Sequence, residues 1–203
     1  LAKIKICGLK REEDILYANA LKPDYVGFVF AKSTRQIDMD TAKELISKLD
    51  KSIKTVGVFL NHSVYEVNKI EKFCNLDILQ FHGEEPPEFC HSYEKEVWKA
   101  FRIKDENSLK ALEAYKIDGC LLDTFVKGAH GGTGKIFNWE MIANISKNKF
   151  IILAGGLTPD NVEDAIKIVK PQIVDVSSGV EVEGTKNFEK MKKLIEKVRG
   201  CNE

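Results

Sequence analysis

Lys3-Ile4-Lys5-Ile6-Cys7-Gly8 sets the pattern for the whole chain. Polar and apolar residues alternate through Ile6, the period of a β-strand with one face buried. Cys7-Gly8 ends the run, and a helical pattern follows over residues 11–21. This unit recurs. Apolar, β-branched runs predict strands at Ile4–Ile6, Tyr25–Phe30, Thr55–Phe59, Ile78–Phe81, Val97–Phe101, Ile117–Leu122, Phe150–Ala154 and Ile173–Ser177. Helical spacing fills the gaps. Ala42, Leu45, Ile46 and Leu49 share one face of a helix over 40–49. Ser63 caps a helix carrying Val64, Val67 and Ile70. Pro159-Asp160-Asn161 opens another through Val162, Ala165, Ile166 and Val169. Phe188, Met191, Leu194, Ile195 and Val198 mark the last. Residues 86–95, 105–115 and 138–147 fit helices as well.

Strict alternation of strands and helices predicts parallel strands joined by crossovers. Six units would suggest an open sheet, whereas eight suggest closure into a (β/α)8 (TIM) barrel. No linker or low-complexity stretch divides the chain, so residues 1–203 read as one α/β barrel domain. In such a barrel the C-terminal strand ends point into one mouth, where residues distant in sequence meet.

The 203 residues suffice to bury a core without staples. Lys plus Arg and Asp plus Glu both total 31, so the formal charge is zero. Nothing in this balance argues for nucleic acid. The longest apolar runs, such as Phe150–Ala154, are too short to cross a bilayer, and no signal-peptide pattern opens the chain. The five cysteines are Cys7, Cys74, Cys90, Cys120 and Cys201, with no Cys-x-x-Cys pair. A disulfide framework and a zinc ribbon are both disfavoured, and a cytoplasmic setting is expected. Cys74, Cys90 and Cys120 read as buried small hydrophobes.

Chemistry gathers at strand ends. Gly155-Gly156 follows the seventh strand, and Ser177-Ser178-Gly179 follows the eighth. Phosphate needs converging backbone N–H groups, and glycine permits that approach. Two such loops on the last two units predict a phosphate site. Cys7 closes the first strand and Asp123 the sixth: one potential base and one potential acid. A buried structural thiol and a loop-capping carboxylate are the bland alternatives. Arg35, just past the second strand, could clamp a carboxylate with two parallel hydrogen bonds or lie on the surface. Gln80 and His82 flank Phe81 and point to one side of the fourth strand's end, lining the mouth or facing solvent. The run Lys127–Gly134 is glycine-rich, but Ala129 and Ile136 break the P-loop pattern. It reads instead as a mobile lid or a plain connection.

Taken in order, these segments resemble the phosphoribosylanthranilate isomerase family of tryptophan biosynthesis. The likeness is carried by Lys5-Ile6-Cys7-Gly8, Asp24–Phe30 with Ser33 and Arg35, and Gly57-Val58-Phe59 with Asn61. It continues through Gln80-Phe81-His82-Gly83, Leu121-Leu122-Asp123 followed by Gly131-Gly132-Thr133-Gly134, Leu153–Leu157 with Pro159, Asn161 and Val162, and Asp175–Glu181. The resemblance implies an Amadori rearrangement with Asp123 as general acid and Cys7 as general base. It implies that Arg35 holds the anthranilate carboxylate, with Gln80, His82 and Asp175 also at the substrate. Gly155, Gly156, Ser178 and Gly179 would hold the phosphate. No metal or organic cofactor is implied. The expected partner is a small phosphosugar, not nucleic acid or membrane, and the chain is expected as a monomer or homodimer. Phe81 stands where Leu is common in the family, and Asn187 where Asp is usual. Competing readings are a histidine-pathway sugar isomerase, which would want aspartate at position 7, and indole-glycerol-phosphate synthase, whose lysine and glutamate set is not found here. A non-catalytic phosphate-ligand barrel would need neither Cys7 nor Asp123.

Overall fold

The structure is a computed structural model and describes residues 2–103, 108, 111–123, 139–143 and 149–201. Eight parallel strands close into a barrel in sequence order. They are β1 Lys3–Cys7, β2 Tyr25–Val29, β3 Lys54–Phe59, β4 Ile78–Phe81, β5 Glu96–Arg102, β6 Gly119–Asp123, β7 Ile151–Ala154 and β8 Ile173–Val176. Closure comes from β1, which pairs with β2 on one side and β8 on the other. The TIM-barrel reading of the sequence therefore stands, with all eight strands within a few residues of their expected bounds.

Alternation along each strand sorts side chains into two cores. One face packs outward against the helices, as Ile4, Ile6, Val26 and Phe28 do. The other fills the barrel axis with Tyr25, Val56, Ile78, Trp98, Leu121, Ile152 and Ile173. Each fully buried aliphatic side chain stabilises by about 1.5–3 kcal/mol. Tyr25 and Trp98 meet edge to face at 5.2 Å inside the barrel. Tyr25 pairs with Lys5, two residues before Cys7, so this aromatic pair lies below the mouth.

The N-terminal end of the barrel is closed by a repeated device. Backbone N–H groups of Ile4, Thr55, Val97 and Ile151 donate to side chains of Asp24, Asp77, Asp118 and Gln172. Each acceptor directly precedes the next strand. One N–H within the first two residues of β1, β3, β5 and β7 is thus satisfied by a side chain at the start of the barrel.

Several helices match their sequence signals. Ser63 forms a reciprocal capping box with Glu66 at the start of the helix Val64–Cys74. The side chain of Asn187 accepts from Lys190 N and caps the helix Phe188–Gly200, so the exchange from Asp is harmless. Others differ. The expected helix over 86–95 is one turn, Pro87–Cys90. Of the expected helix over 105–115 the structure describes a 3-10 turn, Ala111–Ala114, and of that over 138–147 the helical residues Glu140–Ala143; the rest of both falls largely outside the described residues. The glycine-rich run 127–134 lies outside the described residues. After β8 comes a two-stranded hairpin, β9 Glu181–Val182 with β10 Thr185–Lys186, which periodicity did not predict.

Candidate active site

Cys7 ends β1 with its side chain toward the barrel axis. Gly27 sits opposite it in register, and a Cβ there would lie 2.7 Å from Cys7 Sγ. Glycine at position 27 thus makes the space that the thiol occupies. Two residues back on the same face is Lys5, fully buried, whose Nζ donates to Asp175 Oδ2 at 2.7 Å. Burial opposes the charge on Lys5, but Asp175 and Cys7 together more than compensate and raise its pKa. For Cys7 burial dominates and pushes the thiol up, against the opposing pull of Lys5. Burial therefore favours the thiol form of Cys7, with a cation beside it that favours the thiolate.

Asp123 ends β6, which is separated from β1 by β7 and β8 around the barrel. His82 Nε2 lies 3.7 Å from Asp123 Oδ2. The loops after β7 and β8 fill the arc between Asp123 and Cys7. Gly155 and Gly156 have φ of +93° and +69°, conformations that L side chains rarely adopt. Asn161 locks this turn, with Oδ1 accepting from Thr158 N and Nδ2 donating to Gly156 O. Asn161 is also the N-cap residue of the expected helix, Val162–Val169, but its side chain bonds the turn and makes no cap hydrogen bond. A Cβ on Gly179 would lie 1.9 Å from Leu157 O. The two glycine loops therefore touch backbone to backbone and form one cradle. Glycine turns of this kind can aim N–H groups at an anion.

All ten sequence-predicted site residues line one cavity of about 320 Å³: Cys7, Arg35, Gln80, His82, Asp123, Gly155, Gly156, Asp175, Ser178 and Gly179. Gln80 Oε1 and Asp175 Oδ1 are buried acceptors without a hydrogen-bond partner among the described residues. They stand on β4 and β8, opposite strands of the barrel. Both can accept from ligand hydroxyl or N–H donors.

Arg35 is not an open guanidinium. Its Nε and Nη2 donate to Glu181 Oε1 and Oε2, each at 2.7 Å. Lys186 Nζ also donates to Glu181 Oε1, at 2.6 Å, and to Ser177 O at 3.1 Å. Burial works against the Glu181 charge, yet hydrogen bonds from Arg35 and Lys186 bring its carboxyl down to about 2. Burial lowers the Lys186 pKa despite that partner. Lys5, Glu181 and Lys186 escaped the sequence reading. Strand alternation could have flagged Lys5 at two residues before Cys7, whereas the hairpin residues carry no local signal. No group of three His, Cys, Asp or Glu side chains among the described residues could hold a metal ion.

The family model for N-(5'-phosphoribosyl)anthranilate (PRA) isomerase matches residues 4–197. The chain belongs to this isomerase family. It is accordingly an enzyme, an isomerase of tryptophan biosynthesis. The N-(5'-phosphoribosyl)anthranilate isomerase of Thermoanaerobacter sp. (strain X514) is 57% identical over 201 residues, covering 98% of this chain and 99% of that one. A crystal structure of phosphoribosyl anthranilate isomerase from Thermotoga maritima superposes with TM-score 0.91 at 36% identity, covering 98% of this chain and all 100% of that one. Another phosphoribosyl anthranilate isomerase, in complex with reduced 1-(o-carboxyphenylamino)-1-deoxyribulose 5-phosphate, superposes at 0.88 with 34% identity over 98% of this chain and 100% of that one. At 13% identity and TM-score 0.72, a thiamine phosphate pyrophosphorylase from Pyrococcus furiosus shares the fold alone.

Proposed function

We propose that the chain converts N-(5'-phosphoribosyl)anthranilate to 1-(2-carboxyphenylamino)-1-deoxyribulose 5-phosphate, with Asp123 as general acid and Cys7 as general base. Asp123 gives a proton to the furanose ring oxygen as the C1–O bond breaks. The exocyclic nitrogen lone pair forms the C=N bond of a Schiff base. Cys7 then takes the proton from C2. The C–H electron pair becomes the C1=C2 bond, and the C=N π pair returns to nitrogen. Tautomerisation of this enolamine yields the ketone. C2 is oxidised as C1 is reduced, so no external oxidant is needed.

The single observation that carries this reading is the shared cavity, with a thiol and a carboxylate on separate strand ends and the glycine loops between them. Acid and base on different sides of one small sugar are what the rearrangement requires. In this reading Gly155, Gly156, Ser178 and Gly179 take the phosphate. Arg35 takes the anthranilate carboxylate. Gln80, His82 and Asp175 take the hydroxyl and N–H donors of the substrate. Lys5 favours the thiolate when it forms. The scheme needs one barrel, so a monomer and a homodimer serve it equally. A cytoplasmic setting suits the described cysteines, all free, of which Cys7, Cys74, Cys90 and Cys120 are buried.

The test is turnover of freshly made substrate by wild type, Cys7→Ala and Asp123→Asn, alongside binding of a reduced product analogue. Both variants should lose about 10²–10⁴-fold in kcat and still bind the analogue. Robust turnover by Cys7→Ala would overturn the base assignment. Analogue binding without any wild-type turnover would leave a ligand-binding barrel.

A further inference from the structure

The hairpin after β8 brings two charged residues to the rim of the mouth, and both are engaged with Arg35 or its partner. Glu181 accepts from Arg35 along the Nε–Nη2 edge, two parallel bonds of 2.7 Å. A guanidinium has a second edge of the same kind, Nη1–Nη2, and Nη1 has no hydrogen bond among the described residues. Arg35 lines the cavity. Its stem lies against Gly8, where a Cβ would come within 2.6 Å of Arg35 Cδ and where φ is +85°. The guanidinium is thus fixed in plane by Glu181 and in height by the backbone at position 8.

Charge points the same way. Arg35 and Lys186 are two cations on one carboxylate, with Glu181 and Lys186 only 7% and 1% exposed at the side chain. This three-residue cluster carries one net positive charge. Lys5 and Asp175, the neighbouring pair, cancel each other.

We infer that Glu181 is a positioning residue for carboxylate recognition: it holds Arg35 by one edge so that the other edge receives the carboxylate of the ligand. Lys186 supports this by neutralising Glu181 from behind and by tying the hairpin to Ser177, whose Oγ donates to the Cys7 carbonyl at 2.9 Å. Glu181 is thereby a specificity residue acting through Arg35. This inference rests on the reading that Arg35 holds the anthranilate carboxylate.

The experiment measures calorimetric Kd values for two reduced product analogues, one with the ortho-carboxylate and one without it. Wild type should prefer the carboxylate by about ten- to a hundredfold, the scale of a charge-assisted hydrogen-bonded pair. Arg35→Ala should abolish the preference. Glu181→Gln should lose most of it while binding the des-carboxy analogue like wild type, which also shows that the variant is folded. In the Arg35→Ala background, Glu181→Gln should change nothing. If Glu181→Gln fails to fold, Glu181→Asp replaces it, and a reduced preference is again expected. Full preference in the Glu181 variant with loss in Arg35→Ala overturns the positioning role alone. Preference retained in Arg35→Ala removes the carboxylate assignment of Arg35 and the inference with it.

Discussion

The two ends of the barrel treat polar groups in opposite ways. At the N-terminal end, Asp24, Asp77, Asp118 and Gln172 each meet a strand N–H, and the device repeats every second strand. At the mouth the polar groups are irregular, charged and in part unmet. Gln80 Oε1 and Asp175 Oδ1 are buried without partners among the described residues. Cys7 is a desolvated thiol, and Arg35 keeps one edge unengaged among the described residues. Satisfied groups contribute stability, whereas unmet ones wait for a ligand. One fold therefore keeps its stability and its chemistry at opposite ends of the same strands.

The sharpest break in this comparison is Lys5→Met. It leaves Asp175 buried and uncompensated at the junction of the two regions. Urea unfolding should register a loss of roughly 3–5 kcal/mol, the cost of breaking a buried ion pair from one side. Loss below 1 kcal/mol would mean that water reaches Asp175. A pH profile sharpens the contrast further. In the proposed mechanism the base is the Cys7 thiolate, and burial raises the Cys7 pKa above its ordinary 9.0. The thiolate fraction of the free enzyme, and with it kcat/KM, should climb about tenfold per pH unit through the neutral range. It should reach no thiol plateau below pH 9. A plateau near pH 7 would show that the charges around Cys7 outweigh its burial. The acid limb concerns stability. Glu181 is held at about 2 when folded against an ordinary 4.5, so its contribution is present above pH 4.5 and fades as pH falls toward 2. Acid unfolding followed by circular dichroism should be flatter over that window in Glu181→Gln.

The regular features were legible because they are local. Strand period, the Ser63 cap and the glycine turns depend on residues a few positions apart. Cys7, Asp123 and the glycine loops after β7 and β8 could be placed because a closed barrel brings every strand end to one mouth. What stayed hidden is long-range pairing. Lys5 reaches Asp175 across 170 residues and Arg35 reaches Glu181 across 146, and no periodicity reports such a meeting. Arg35 thus looked like a free clamp when one edge is already taken. Helix extent over 86–95 was overcalled because apolar spacing there also suits a short turn packing Phe89 and Tyr93 on Phe81.

The separation of stability from chemistry is tested most directly by exchanging one residue at each end. Cys7→Ala and Asp77→Ala should be measured side by side for kcat and for urea stability. Asp77 accepts from both the N–H and the hydroxyl of Thr55, so its loss should cost roughly 1–3 kcal/mol and leave kcat within about twofold. Cys7→Ala should do the reverse, losing about 10²–10⁴-fold in kcat with a stability change under about 1 kcal/mol. If Asp77→Ala lost turnover at full stability, or Cys7→Ala unfolded while its remaining folded fraction stayed active, the account of the two ends would be wrong.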